Sequence, residues 1–190
     1  MRLVGGRLRG RSLAAPEGLA VRPTADRTRE ALFNILSQGR LAEAGPALEG
    51  ARLLDAFAGT GALGLEALSR GAATVVFMEE QAVAEAALRK NIRDLGVEAE
   101  SKVLRADVLR PPPAERHGGP CDIVLMDPPY NQGLATPALT ALDAAGWLAA
   151  DCLVTLELLK SEPFEPPAGF AELESRNYGK ARLVFLRKAG

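Results

Sequence analysis

Short apolar runs alternate with helix-length amphipathic stretches from residue 52 onward. Arg52–Phe57, Thr74–Glu79, Lys102–Asp107, Asp122–Asp127 and Leu153–Leu158 have the length and composition of strands. Val75-Val76-Phe77-Met78 and Ile123-Val124-Leu125-Met126 are apolar without alternation, which predicts parallel strands covered on both faces. Helical spacing falls between them, over Ala62–Ser69, Gln81–Leu95 and roughly Leu134–Ala145. Phe170–Asn177 and Ala181–Arg187 flank Tyr178-Gly179-Lys180 and predict a terminal antiparallel hairpin. Five βα-type strands plus this hairpin give an α/β, Rossmann-like, doubly wound sheet of seven strands. Upstream, Arg2–Val4 and Arg7–Leu13 flank Gly5-Gly6, which predicts a short hairpin. Thr24 is placed to cap a helix from about Ala25 to Ser37, with Leu32, Phe33, Ile35 and Leu36 on its buried face.

Composition narrows the class. A chain of 190 residues without a long polar tract is expected to form one domain. Its parts are a basic hairpin and helix over 1–37 and a catalytic core over 50–190. No apolar run reaches 18 residues and the N-terminus lacks a signal core, so a cytoplasmic protein without membrane contact is expected. Cys121 and Cys152 lie in apolar runs and read as buried, reduced thiols. One histidine and two separated cysteines make no metal cluster of ordinary spacing, so no metal is expected. The net charge is −1, but it is unevenly placed: residues 1–30 carry seven arginines and sum to +4, and the remainder sums to −5. A basic arm on a mildly acidic body suggests phosphate contact.

The candidate chemistry sits at the ends of the strands. Asp127-Pro128-Pro129-Tyr130 follows the fourth strand. Neither proline can donate to a ladder, so the chain leaves the sheet there on a stiff backbone. Such a turn suits a planar, amino-bearing ring: Asp127 and the Pro128 carbonyl accept its N–H groups, and Tyr130 stacks on it. Asp55, Glu79 and Asp107 end three other strands, on the rim where this fold class binds ligands. Asp55-Ala56-Phe57-Ala58-Gly59-Thr60-Gly61-Ala62-Leu63-Gly64 contains Gly-x-Gly-x-x-Gly between strand and helix, with Glu79 twenty residues after Gly59. That spacing also matches a nicotinamide or flavin site. Asp55 discriminates, because an anion ahead of the glycines repels a pyrophosphate over the helix N-terminus. It suits a cationic ligand such as S-adenosylmethionine. Glu79 is then placed for the ribose hydroxyls, Asp107 for the adenine amine, and Phe57, Gly59, Thr60 and Gly61 for close backbone approach. Glu80 is an alternative to Glu79, disfavoured by strand parity.

These motifs resemble the class I S-adenosylmethionine-dependent methyltransferases. More narrowly the chain resembles the RsmD family, bacterial guanine-N2 methyltransferases of small-subunit (16S) ribosomal RNA. The matching segments are Arg2–Gly6 with Arg9-Gly10-Arg11, Arg22–Arg27 through Arg29-Glu30 and Leu32-Phe33-Asn34, Asp55–Ala72, Asp127–Tyr130 and Gly146-Trp147-Leu148. Ala56, where a larger residue is common, and Tyr130, where the family often shows Phe, are mild departures. The resemblance implies direct methyl transfer to the N2 amine of a guanine, with Asp127, Pro128 and Tyr130 as catalytic residues. It makes Arg7, Arg9, Arg11, Arg22, Arg27 and Arg29 the expected RNA contacts. The expected partner is small-subunit ribosomal RNA or its particle, and the expected state a monomer. The alternatives are a DNA adenine-N6 methyltransferase, a protein-glutamine methyltransferase and an idle RNA-binding assembly factor. Against them stand the absence of room for a target-recognition insertion, the Asp rather than Asn at position 127, and the intact acids.

Overall fold

The computed structural model describes residues 1–16, 23–38, 41 and 45–189. Its elements in chain order are α1 (Pro23–Ser37), β1 (Arg52–Ala56), α2 (Ala62–Ser69), β2 (Thr74–Met78), α3 (Ala82–Leu95), β3 (Ser101–Leu104), β4 (Cys121–Met126), α4 (Ala135–Ala144), β5 (Leu148–Leu159), β6 (Phe170–Tyr178) and β7 (Ala181–Lys188). The strands form one sheet in the order β3-β2-β1-β4-β5-β7-β6. The first five are parallel, and β7 and β6 close the sheet antiparallel. The expected doubly wound sheet with a terminal hairpin is therefore present.

The parallel strands carry apolar residues on both faces because both faces are covered. Leu53, Val75, Phe77, Ile123, Leu125 and Leu153 pack with residues of α1, α2, α3 and the N-terminal arm. Leu54, Val76, Met78, Val124, Met126 and Val154 pack with α4 and Trp147. Gly64 lets α2 lie directly on β2: a Cβ there would sit 2.3 Å from a ring carbon of Phe77.

Several boundaries differ from the sequence reading. β3 stops at Leu104, whose carbonyl accepts the Glu79 amide, and the chain turns away before Asp107. β5 starts at Leu148, since Leu148 pairs with Cys121 before a bulge restores the register at Ile123 and Leu153. The extra residues are absorbed where Asp151 takes a φ of 60°. The N-terminal hairpin is joined by a single bridge, Arg2 to Ser12, and its middle is turn rather than strand. α1 begins at Pro23, ahead of the expected start near Ala25.

The arm is fastened to α2 by polar groups. Glu66 is fully buried and accepts from the Val4 amide (2.9 Å) and Arg70 Nε (2.8 Å), with Arg29 Nε at 3.7 Å. Ser69 Oγ donates to the Gly5 carbonyl and accepts from the Leu8 amide. Gly6, at φ 71°, comes so close to the Ser69 carbonyl that a Cβ would stand 1.8 Å from its oxygen. Asn91 of α3 bonds both the amide and the carbonyl of Ala14, and also donates to the Thr60 carbonyl in the glycine loop.

Two outcomes are expected. Glu66→Ala leaves Arg29 and Arg70 without their shared carboxylate and should lower unfolding free energy by about 3 kcal/mol in urea titration. A change under 1 kcal/mol would show that the knot is not structural. Cys121 and Cys152 are fully buried, and burial pushes both thiols up to about 12. Neither should react with iodoacetamide at pH 7.5 until denaturant is added, as read by intact mass.

Candidate active site

One row of paired residues crosses the parallel sheet: Leu104, Met78, Ala56, Met126 and Leu156. The residues that follow Met78, Met126 and Leu156 are Glu79, Asp127 and Glu157. Register thus puts three acids on one rim, at neighbouring positions. Asp55 lies one residue before the row on β1, two steps from its rim position, and so belongs to the same face.

Asp55 is 1% exposed, and its Oδ2 accepts the Gly64 amide at 2.8 Å. Burial holds its carboxyl well above the usual range, and the charges of Asp127 and Glu79 push the same way; the Gly64 amide opposes them. The side chain therefore holds the first turn of α2 and lies beneath the glycine loop. Phe57, two residues on, takes a φ of 63°, a strained conformation for a residue with a side chain. Ala58 anchors the loop by donating to the Met78 carbonyl. A Cβ built on Gly59 meets nothing within 4 Å, so the loop faces open space there.

Glu79 is 7% exposed and accepts from the Gly59 amide and the Gln81 amide, both at 2.7 Å. Glu80 is exposed. Asp107 lies three residues beyond the end of β3 and accepts from the Leu109 amide at 2.8 Å and Arg110 Nε at 3.2 Å. It shapes the turn that follows the strand. Asp127 is exposed, Pro128 buried and Pro129 exposed. Tyr130 is half-buried and donates its hydroxyl to Glu157 Oε1 at 2.6 Å. Asn131, at φ 58°, donates its amide to Glu162 Oε2. Two acids, on β5 and just after it, thus hold the turn in place.

Those two acids were not among the sequence candidates. Glu157 had a signal: it interrupts the apolar run Leu153–Leu159 near the strand end, as Asp55, Glu79 and Asp127 do on theirs. Glu66 and Asn91 had a weaker one, as polar residues on otherwise buried helix faces. Among the described residues, no group of three or more His, Cys, Asp or Glu is placed to hold a metal ion. No helix among them is long and apolar enough to cross a membrane.

The arginines divide. Arg29 is corrected: it is 3% exposed and spends its guanidinium on the Arg2 carbonyl, Asp26 and Glu66, so it is structural. Arg7 pairs with Glu100 at 2.6 Å while remaining half-exposed, and Arg11 donates to the Asp94 carbonyl. Arg9 and Arg27 are exposed, and Arg22 lies outside the described residues.

Comparison with known proteins places the chain. The family model "Conserved hypothetical protein 95" matches residues 1–187. Ribosomal RNA small subunit methyltransferase D of Escherichia coli K12 is 38% identical over 157 residues, covering 83% of this chain and 74% of that protein. The protein of the same name from Haemophilus influenzae is 34% identical, covering 94% of this chain and 89% of its own length. The solved structure of yhhF from Escherichia coli superposes with a TM-score of 0.80 at 33% identity, covering 100% of this chain and 98% of that one. The fold is that of class I methyltransferases, whose methyl donor is S-adenosylmethionine. The open space over Gly59, the two amide-bonded oxygens of Glu79 and the buried Asp55 carboxyl beneath the loop make a cradle that fits a nucleoside. Matched by the family model along nearly its whole length and sharing the overall fold of its relatives, the chain belongs to the RsmD family of methyltransferases.

Proposed function

We propose that this protein transfers a methyl group to the exocyclic N2 amine of a guanine in small-subunit (16S) ribosomal RNA. The observation that carries the reading is the Asp127-Pro128-Pro129-Tyr130 turn, standing on the same rim as the glycine loop and one strand away from it. The relatives named for small-subunit ribosomal RNA support the substrate class, and they disfavour the DNA adenine-N6 alternative. The N2 position follows the family resemblance.

S-adenosylmethionine bound over the loop supplies an electrophilic methyl group, and its sulfur keeps the electrons of the broken bond. Glu79 would hold the ribose: a carboxylate has about four acceptor positions, and the Gly59 and Gln81 amides use two. Asp107 would take the adenine amine, with Phe57, Thr60 and Gly61 lining the approach. Asp55 acts through the loop, by fixing the start of α2.

Asp127 and the Pro128 carbonyl accept the two N–H groups of the target amine. This turns the nitrogen lone pair toward the methyl group, and the proline-stiffened backbone keeps it there. After transfer the nitrogen carries a proton too many, and Asp127 takes it and releases it to water. Tyr130 stacks on the base, its ring fixed by the hydroxyl bond to Glu157. Arg7, Arg9, Arg11, Arg22 and Arg27 form the RNA-facing part of the arm.

Asp127→Ala should lower kcat by about 10²–10⁴ while the cofactor Kd stays within a few-fold. Equal loss of both in a folded variant would remove the assigned role. Replacing Arg7, Arg9 and Arg11 together by Ala should flatten the log–log salt dependence of RNA binding by about two units; an unchanged slope would place the RNA elsewhere. Asp55→Asn keeps an oxygen for the Gly64 amide but no buried charge. Because the folded carboxyl is raised, the wild type loses stability as pH rises above about 4, where an unfolded Asp ionises. The Asn variant should therefore gain Tm relative to wild type, by more at pH 8 than at pH 4. A gain that shrinks with rising pH would contradict this.

A further inference from the structure

One carboxylate on the rim enters the transfer described above only through the Tyr130 hydroxyl. Glu157 follows Leu156, and Asp127 follows Leu156's ladder partner Met126, so the two acids hold adjacent positions on neighbouring strands. Their parity is that of Asp55, and the charge of Asp127 reaches Asp55. Glu157 is half-buried in a strand flanked on both sides by partners, β4 and β7. An ionisable group in such a strand is costly to desolvate and is poor structural material. If Tyr130 served only as a stacking ring, a phenylalanine would do. Its hydroxyl instead reaches 2.6 Å to Glu157 Oε1 and fixes the carboxylate beside the turn.

We propose that Glu157 is the specificity-determining residue that selects guanine, by accepting the N1–H of the base whose 2-amine is held at Asp127 and Pro128. This rests on guanine N2 being the target. Guanine presents N1–H and the N2 amine side by side as donors. Adenine presents a bare N1 lone pair beside its amine. A carboxylate only accepts, so it attracts the guanine edge and repels the adenine edge. The Tyr130 hydroxyl is one partner of that carboxylate, and a carboxylate, with about four acceptor positions, accepts several donors at once. The strand-four turn then reads the amine, and the strand-five acid reads the ring nitrogen next to it.

The test uses 2-aminopurine, which keeps the 2-amine but has an unprotonated N1. It is placed in small-subunit RNA at the guanosine that the wild-type enzyme methylates. Wild type should prefer guanine by roughly tenfold to a hundredfold in kcat/KM. Glu157→Gln presents an amide that can donate to N1, so the preference should collapse toward unity or reverse. Tyr130→Phe keeps the carboxylate and should retain most of the preference. A purely structural Glu157 would lower both substrates equally, leaving the ratio unchanged, and that outcome overturns the proposal. So does a wild-type enzyme that treats the two bases alike, a measurement independent of how the variants fold. Wild-type methylation at another atom or base would instead fail the parent reading, and this one with it.

Discussion

The in-phase register of five parallel strands is the constraint on which the rest depends. Leu104, Met78, Ala56, Met126 and Leu156 form one continuous row, so the chain leaves the sheet at the same level on β2 and β4, while β5 runs on to Leu159 against β7. The next position on β2, β4 and β5 is an acid in each case: Glu79, Asp127 and Glu157. Slipping β4 by one residue would turn Asp127 to the opposite face and bring Met126, now in the second core, toward the rim. The apolar runs on both faces forbid that slip. Core packing thus sets the alignment of the site before any polar contact is made.

A second layer of polar contacts sets the fine geometry. Glu79 ties the glycine loop to the end of β2, Asp55 ties it to the start of α2, and Asn91 ties it to the N-terminal arm. Glu66 and Ser69 hold the arm on α2. The segment expected to meet RNA and the loop expected to hold the cofactor therefore share one hydrogen-bonded frame. A buried carboxylate such as Glu66 contributes little net stability as a substitute for apolar packing. It does fix where the arm sits, because only one docking satisfies the Val4 amide and both arginines.

Much of this was legible in the sequence because the signals were local. Unalternating apolar runs announced parallel strands, and glycines and prolines marked where strands stop. Asp55, Glu79 and Asp127 could be placed on one rim from strand ends alone. What escaped depended on contacts far apart in the chain. Arg29 looks like its exposed neighbours in sequence, but the helix turns it inward onto Glu66, 37 residues away. Glu157 and Glu162 join the turn only because β5 lies beside β4, which no periodicity reveals. The early end of β3 and the bulge in β5 are likewise set by neighbours rather than by propensity.

The central claim is that this rim holds a guanine amine against a methyl donor. The most direct measurement supplies labelled S-adenosylmethionine with small-subunit RNA, ribosomal particles and duplex DNA, and identifies the labelled nucleoside after digestion. N2-methylguanosine from the ribosomal substrates is the result the account predicts. N6-methyladenine, from RNA or DNA, would contradict it.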